Sequence, residues 1–367
     1  MKNKLKIGII GTRGIPNNYG GFEAFAEQVS QRLVTLGHEV TVYCSHDQQY
    51  RQKTLNGVHL VYCYNPESRI GSAGQFIYDL NCNLHTLKQR FDVILHLGYT
   101  SDSVWTRIWS RNARHLTNMD GMEWMRSKYA PAIRAFLKWA EKWAARRSNL
   151  LIADSRGILE HLQLNYSTPV CFISYGAAIP DSFDAAVPEN FGVQPYQYDL
   201  LIARMEPENN IEMAVEAKLG EKPEFPLLIF SNETAYGKQL QLRYQREPMI
   251  LFQGANYQVE AMNSLRHFSR CYIHGHSAGG TNPSLLEAMA CGSVILAHDN
   301  IFNRSVLGVN CGYFRDAEQL TGLLNQPISQ EYKHRTGENN LHIIRTHHNW
   351  EFITQEYESA FYQVLGY

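Results

Sequence analysis

Three stretches carry residues whose types and spacing suit a phosphorylated ligand. The strongest is His274-Gly275-His276-Ser277-Ala278-Gly279-Gly280-Thr281-Asn282-Pro283-Ser284-Leu285-Leu286-Glu287-Ala288-Met289-Ala290. A strand enters a glycine loop, Asn282 is placed as a helix N-cap, and Pro283 takes the first helical position, where its missing N–H costs nothing. The amides around Gly279 to Thr281 are then open to a diphosphate at a helix N-terminus. Glu287, slightly more than one turn into the helix, is placed to accept hydrogen bonds from a ribose. A capped helix with a solvent carboxylate is the plainer alternative for the same residues.

Arg204 follows the apolar run 200–203 in Arg204-Met205-Glu206-Pro207-Glu208-Asn209-Asn210. A guanidinium there can bind a phosphoryl oxygen and stabilise the charge of a departing diphosphate, where the ordinary alternative is a surface ion pair. The third stretch runs from Gly11-Thr12-Arg13-Gly14-Ile15-Pro16 to Tyr19-Gly20-Gly21-Phe22-Glu23. Its glycines let backbone amides approach an anion, although Gly20-Gly21 alone also suits a tight turn. The spacing is not G-x-G-x-x-G, which disfavours a dinucleotide oxidoreductase. No Asp-x-Asp clamp occurs, and His274 and His276 have no adjacent Cys or acid cluster, so a metal site is not expected. Charge neutralisation falls to Arg204 and to helix N-termini.

Residues 131–147 read as one helix with three sectors. Ile133, Phe136, Leu137, Ala140 and Ala144 form a core stripe; Arg134, Lys138, Lys142 and Arg146 form a basic stripe; Trp139 and Trp143 lie on the border. Basic residues bordered by tryptophans are what an interfacial helix offers to anionic lipid, each adding about 1 kcal/mol near such a surface. A solvated face with snorkelling side chains accounts for the same pattern without lipid.

Short apolar runs alternating with helical periods must position these groups, the signature of parallel α/β units. Strands are expected at 6–10, 39–44, 58–62, 92–95, 115–118, 150–153 and 170–173, then at 200–203, 227–230, 250–252, 271–274 and 294–297. Phe22, Phe25, Ala26, Val29, Leu33 and Leu36 recur at helical spacing between the first two and stop at Gly37. The polar stretch 180–198 reads as a linker. The expected domains are 1–180, with a terminal helix 350–367 packing back on it, and 181–349. In open α/β sheets ligands bind beyond the carboxyl ends of the strands, so the site is expected in a cleft between the two domains.

The 367 residues suit two domains, and 44% hydrophobic with 19% charged residues excludes disorder, collagen and coiled coil. The net charge of −1 hides a division: residues 1–180 hold 21 Lys and Arg against 13 Asp and Glu, the remainder 13 against 22. Such a basic half concentrates anionic ligands or membrane surfaces. No apolar run reaches the ~18 residues of a membrane span, and seven scattered cysteines without a C-x-x-C pair fit reduced thiols in a cytoplasm.

With these segments in order the chain resembles the retaining glycosyltransferases of family 4, closest to the bacterial polysaccharide rhamnosyltransferase branch. The resemblance also rests on Asp120-Gly121-Met122-Glu123-Trp124, Ala153-Asp154-Ser155, Tyr175-Gly176-Ala177, Pro207-Glu208-Asn209-Asn210 and Phe302-Asn303-Arg304. It implies an α/β protein of the GT-B fold, two Rossmann-like domains facing across a cleft. The implied reaction is retaining, metal-independent transfer of a sugar from a nucleotide-diphosphate donor, with no cofactor. L-rhamnose from dTDP-rhamnose is the first choice of donor, and a UDP- or GDP-sugar the alternative. The implied acceptor is a lipid-pyrophosphate-linked saccharide of surface polysaccharide synthesis, and the implied place is the cytoplasmic face of the plasma membrane, held peripherally on anionic lipid, with no nucleic-acid partner.

By position, Arg204 would hold the diphosphate, Glu287 the ribose, and Gly279, Gly280, Thr281 and Asn282 the phosphates and sugar hydroxyls, with Asn209 and His276 beside them. Gly20 and Gly21 would close on the diphosphate. Asp120, Glu123 and Trp124 would contact acceptor or sugar, which places Asp120 with Arg204 and Glu287 among the residues expected to act in catalysis. Two departures from the family pattern stand out: Gly279 replaces the first Glu of a Glu-x7-Glu pair, and Asn209 replaces a Lys. A nucleotide-sugar epimerase of the same fold and a non-catalytic sugar-nucleotide-binding subunit remain as competing readings.

Overall fold

The computed structural model describes residues 3–18, 20–125, 129–220, 224–277, 280–309 and 311–367. The chain divides into two compact units, Met1–Tyr175 with Trp350–Tyr367, and Gly176–Asn349.

The first unit holds an eight-stranded sheet of β1 (Lys6–Ile10), β2 (Glu39–Ser45), β3 (Thr54–Leu55), β4 (Val58–Cys63), β5 (Val93–Leu97), β6 (Arg114–Asn118), β7 (Leu150–Ala153) and β8 (Val170–Phe172). Their order is β3-β4-β2-β1-β5-β6-β7-β8, parallel except for β3 against β4. The apolar runs read from the sequence are strands within one or two residues. β3 was not among them, although Asn56 and Gly57, both at positive φ, form a two-residue hairpin turn of the kind that Asn-Gly favours.

The second unit holds β9 (Asp199–Ile202), β10 (Leu227–Phe230), β11 (Ile250–Gln253), β12 (Cys271–His274), β13 (Ile295–His298) and β14 (Gly312–Phe314), in the order β11-β10-β9-β12-β13-β14, all parallel. β14, only three residues long, carried no periodic signal. Residues 180–198, expected as a linker, belong to this unit. Phe183 stacks on His267 at 3.9 Å, and the buried Tyr198 donates its hydroxyl to the Leu265 carbonyl at 2.6 Å. These aromatics anchor a segment whose polar composition suggested otherwise.

Helix Trp350–Leu365 packs on helix Gly21–Thr35 within the first unit, with Tyr357 4.9 Å from Phe25 and Trp350, Ile353 and Phe361 buried in the same core. Each fully buried side chain of this size contributes about 1.5–3 kcal/mol, so the terminal helix is a structural member of that unit. No described helix is long and apolar enough to cross a membrane.

Helix Ala73–Thr86 packs against the first unit by a face that includes Tyr78, Asp79, Cys82, Asn83 and Thr86, all buried. Asn83 donates to Asp102, and Ser101 donates to Asp79. Burial, then the neighbouring Asp102 carboxylate, pushes the Asp79 carboxyl up to about 8 from an ordinary 3.8. The folded chain therefore keeps a proton here that the unfolded chain releases, and this stabilisation is complete below pH ~3.8 and lost as pH rises through 8. Asp79→Asn preserves the neutral form. Its melting temperature is expected to exceed that of the wild type at pH 9, with the gap shrinking steadily as pH falls toward 4. A gap independent of pH in thermal unfolding would mean that Asp79 is ionised in the fold.

Candidate active site

In each sheet the connections run outward in one direction and then return to the other side of the first strand. The resulting switch points lie between β1 and β5 in the first unit and between β9 and β12 in the second. Loops leaving the carboxyl ends of such strand pairs diverge and leave room for a ligand. The chemistry-bearing stretches emerge at these two places.

In the second unit, the loop after β9 carries Arg204, which is exposed, and among the described residues its guanidinium has no ion pair. Two backbone and side-chain bonds fix its base: Glu206 N–H and Asn209 Nδ2 both donate to the Arg204 carbonyl at 2.8 Å. Asn209, expected among the donor contacts, is buried and donates an amide N–H in that bond, so it braces the loop that presents Arg204. The same loop is laced to the one after β12. Asn210 Nδ2 donates to the Gly275 carbonyl at 2.8 Å, and Ser277 donates through both N–H and Oγ to the Glu208 carbonyl. A Cβ on Gly275 would lie 2.2 Å from the Asn209 carbonyl oxygen, so only glycine permits this approach.

Helix Pro283–Ala290 begins beside Arg204's strand. Asn282 Oδ1 accepts from Ser284 N–H at 2.9 Å, Pro283 occupies the first position, and Ser284 Oγ bonds the Tyr272 hydroxyl at 2.7 Å. Thr281 is buried and Gly280 partly so; Gly279 lies outside the described residues. Glu287 is half exposed and forms an ion pair with Arg266, a guanidinium only 5% exposed. Arg266 was absent from the sequence reading because it sits on a different helix, Val259–His267, 21 residues away. His276 is placed by its carbonyl, which accepts from Asn300 and Asn303 at 2.9 and 3.0 Å. His274 is buried, stacked 4.4 Å from His276, and its imidazole is held well below its usual range by burial, then by His276 and His298. It is therefore a neutral ring at the end of β12. Among the described residues no group of three or more His, Cys, Asp or Glu side chains is arranged to hold a metal ion.

In the first unit, the loop after β1 runs into helix Gly21–Thr35, whose N-cap Gly20 is extended and has no side chain to cap the first-turn amides. A Cβ on Gly11, at φ +89°, would lie 2.3 Å from the Leu97 carbonyl oxygen, so the glycine permits β1 and β5 to deliver their loops side by side. Glu23 and Glu27 of the helix accept from the Arg13 and Asn17 amides at 2.8 Å and hold the loop's shape. Tyr175 donates to the Gly21 carbonyl. On the β5 side, His96 bonds Asp102 at 2.7 Å and His115 at 2.8 Å, which ties the segment after β5 to the sheet.

Asp120, Glu123 and Trp124 follow β6. Asp120 sits at φ +50°, a left-handed turn held by its N–H to Asn118 Oδ1, and Glu123 is buried with its N–H donating to Tyr99 Oη at 3.3 Å. Trp124 donates its indole N–H to Glu141 at 2.7 Å, and its carbonyl accepts from Arg134 at 2.8 Å. These residues and helix Pro131–Arg147 are therefore one assembly. Glu141, buried and also bonded to His161 and the Tyr166 hydroxyl, is its centre and was missed in the sequence reading. Its only signal was one acid among basic and apolar neighbours. Arg134, Lys138, Lys142 and Arg146 are exposed, Trp139 is exposed and Trp143 half-buried. Ile133, expected in the core stripe, is 47% exposed, because it lies in the first turn of the helix and Leu137 and Ala140 are the first residues buried.

Residues 4–178 match the family model described as a domain of unknown function, DUF1972. No curated protein matches the sequence. Sucrose-phosphate synthase from Thermosynechococcus elongatus superimposes with a TM-score of 0.84 at 14% identity, covering 99% of both chains. HepE from Anabaena, in complex with UDP and glucose, gives 0.78 at 16% identity over 98% of this chain and 99% of that one. A glycosyltransferase from Rickettsia africae gives 0.71 at 15% identity over 100% of both. The chain has the GT-B fold. Within this GT-B chain, the second unit offers an anion an exposed guanidinium and a proline-started helix N-terminus on adjacent loops. The first unit offers an uncapped helix N-terminus at its own switch point.

Proposed function

We propose that this protein is a retaining glycosyltransferase that moves a sugar from a nucleotide-diphosphate donor to a lipid-linked saccharide. The observation that carries the reading is Arg204, exposed and without an ion pair among the described residues, on the loop after β9, next to the strand β12 that leads into helix Pro283–Ala290, at the switch point of a GT-B unit. A positive group on a braced loop and a helix dipole there would stabilise the charge of the leaving diphosphate. In the proposed step the acceptor oxygen bonds to the anomeric carbon as the bond from that carbon to the diphosphate oxygen breaks. Attack comes from the face the diphosphate leaves, and the diphosphate takes the acceptor's proton, so configuration is retained without a protein nucleophile or a metal.

Glu287 would accept from the ribose, and Gly20, Gly21 and the loop Gly279–Asn282 would meet the phosphates and sugar. Asp120, Glu123 and Trp124 would meet the acceptor. Their attachment to the basic helix Pro131–Arg147 supports an acceptor presented at an anionic membrane surface, on the cytoplasmic side. dTDP-rhamnose is the proposed donor. A UDP-hexose is the second reading, favoured because HepE was solved with UDP-glucose. Calorimetric titration with dTDP-, UDP- and GDP-sugars, followed by transfer to a polyprenyl-pyrophosphate saccharide, separates these. Tight dTDP-rhamnose binding with product formation is expected. Donor turnover without acceptor would indicate an epimerase, and donor binding without transfer would indicate a binding subunit.

A further inference from the structure

Helix Ala73–Thr86 carries apolar side chains on both faces. Its buried face turns Asp79, Asn83 and Thr86 into the unit beside Tyr78 and Cys82, which belong to a hydrophobic cluster. The opposite sector carries Phe76, Ile77, Leu80 and Leu84, continued by Leu87 just past its end. Ile77, Leu84 and Leu87 are 39%, 44% and 50% exposed, while Phe76 and Leu80 are half-buried. No charged side chain lies on that outer sector, the reverse of a surface helix whose polar face meets water. Phe76 links it to the basic helix Pro131–Arg147: Phe76 lies 5.9 Å from Phe136, Phe136 5.8 Å from Trp139, and Trp139 5.1 Å from Trp143. Trp105 secures the join by donating to the Phe76 carbonyl at 2.8 Å.

The charges around this strip decide what can cover it. Among the described residues of 66–149, eleven Lys and Arg side chains are exposed and no Asp or Glu is. Arg69, Lys88 and Arg90 flank the apolar helix, and Arg134, Lys138 and Lys142 line its neighbour. A second copy docked through the same face would set like charges against each other, whereas an anionic bilayer matches both the apolar strip and its basic border.

We infer that the outer face of helix Ala73–Thr86 inserts into the acyl boundary of an anionic membrane, while helix Pro131–Arg147 holds the headgroups. This rests on the membrane reading above and adds the hydrocarbon-contacting element to it. Insertion of apolar side chains is not screened by salt, whereas headgroup attraction is, so the two helices have separable signatures.

The test is co-sedimentation of the full-length chain with phosphatidylglycerol–phosphatidylethanolamine vesicles at low and high salt. Ile77→Gln with Leu84→Gln changes exposed residues only, and an unchanged melting temperature checks the fold. The double variant is expected to lose roughly tenfold in vesicle partitioning at both salt concentrations, on the scale of removing buried aliphatic groups. Lys138→Gln with Lys142→Gln should instead lose binding mainly at low salt. As a second measurement, Leu84→Trp should add fluorescence quenched by lipids brominated along the acyl chain. Wild-type partitioning by the Ile77 and Leu84 variant, or no added quenching, would overturn the insertion while leaving the headgroup reading intact. Absence of any binding by the wild type would remove both readings. A change from dimer to monomer in the apolar variant without vesicles would assign the face to a second copy and overturn the proposal.

Discussion

Arg204→Ala is expected to lower kcat for sugar transfer by roughly 10²–10³-fold, the usual consequence of removing one stabilising group from a developing anion. The side chain is exposed and has no ion pair among the described residues, so its loss should leave the melting temperature within about 1 °C of the wild type. Its loop is held from beneath by Asn209 and Glu206 through the Arg204 backbone carbonyl, and those bonds survive the substitution. Arg204→Lys should recover only part of the rate, because an ammonium is a point charge where the guanidinium forks onto two oxygens. The measurement is steady-state transfer with dTDP-rhamnose and a lipid-linked acceptor, beside calorimetry with dTDP. A kcat within threefold of the wild type would remove Arg204 from the proposed mechanism.

Glu287→Ala should act twice. In the proposed role it removes the ribose acceptor and raises the donor KM by about ten- to a hundredfold, the range for a charge-assisted hydrogen bond. It also leaves Arg266, only 5% exposed, without its carboxylate partner. An uncompensated buried charge costs several kcal/mol, and because Glu287 itself is half open to solvent a loss of about 1–3 kcal/mol is expected. The two effects separate in a second variant. Glu287→Ala combined with Arg266→Met removes the stranded charge, so stability should return while the donor KM stays high. If KM recovered together with stability, Glu287 would be a structural partner of Arg266 and not a donor contact.

The pair Glu287 and Arg266 also shows where sequence reading stops. The start of helix Pro283–Ala290 was legible because capping is local chemistry: Asn282 accepts from an amide two residues on, and Pro283 lacks the N–H that would be left over. The ion pair depends on two helices packing directly against each other, and nothing within either helix announces it. Asn209 illustrates the same limit in the other direction. The family resemblance put it where a Lys would meet the diphosphate, and only the packed loop reveals an amide N–H turned inward to the Arg204 carbonyl.

Most strands, the glycine loops and the helical period of residues 131–147 follow from apolar spacing and turn chemistry, which act over a few residues. Direction of packing does not. The stripe Phe76, Ile77, Leu80 and Leu84 has the spacing of any core-facing helix, yet it faces outward because the other face buries Tyr78 and Cys82 in a hydrophobic cluster and gives Asp79 and Asn83 partners inside the first unit. Hydrophobic period specifies that a helix has an apolar side; which side is buried depends on what both sides meet in the packed unit. Local sequence thus determined the elements and the loops that end in Arg204 and Asn282. Tertiary structure alone decided which loops share a switch point, which charges pair, and which apolar face remains open to solvent, because those outcomes rest on contacts between residues far apart in the chain.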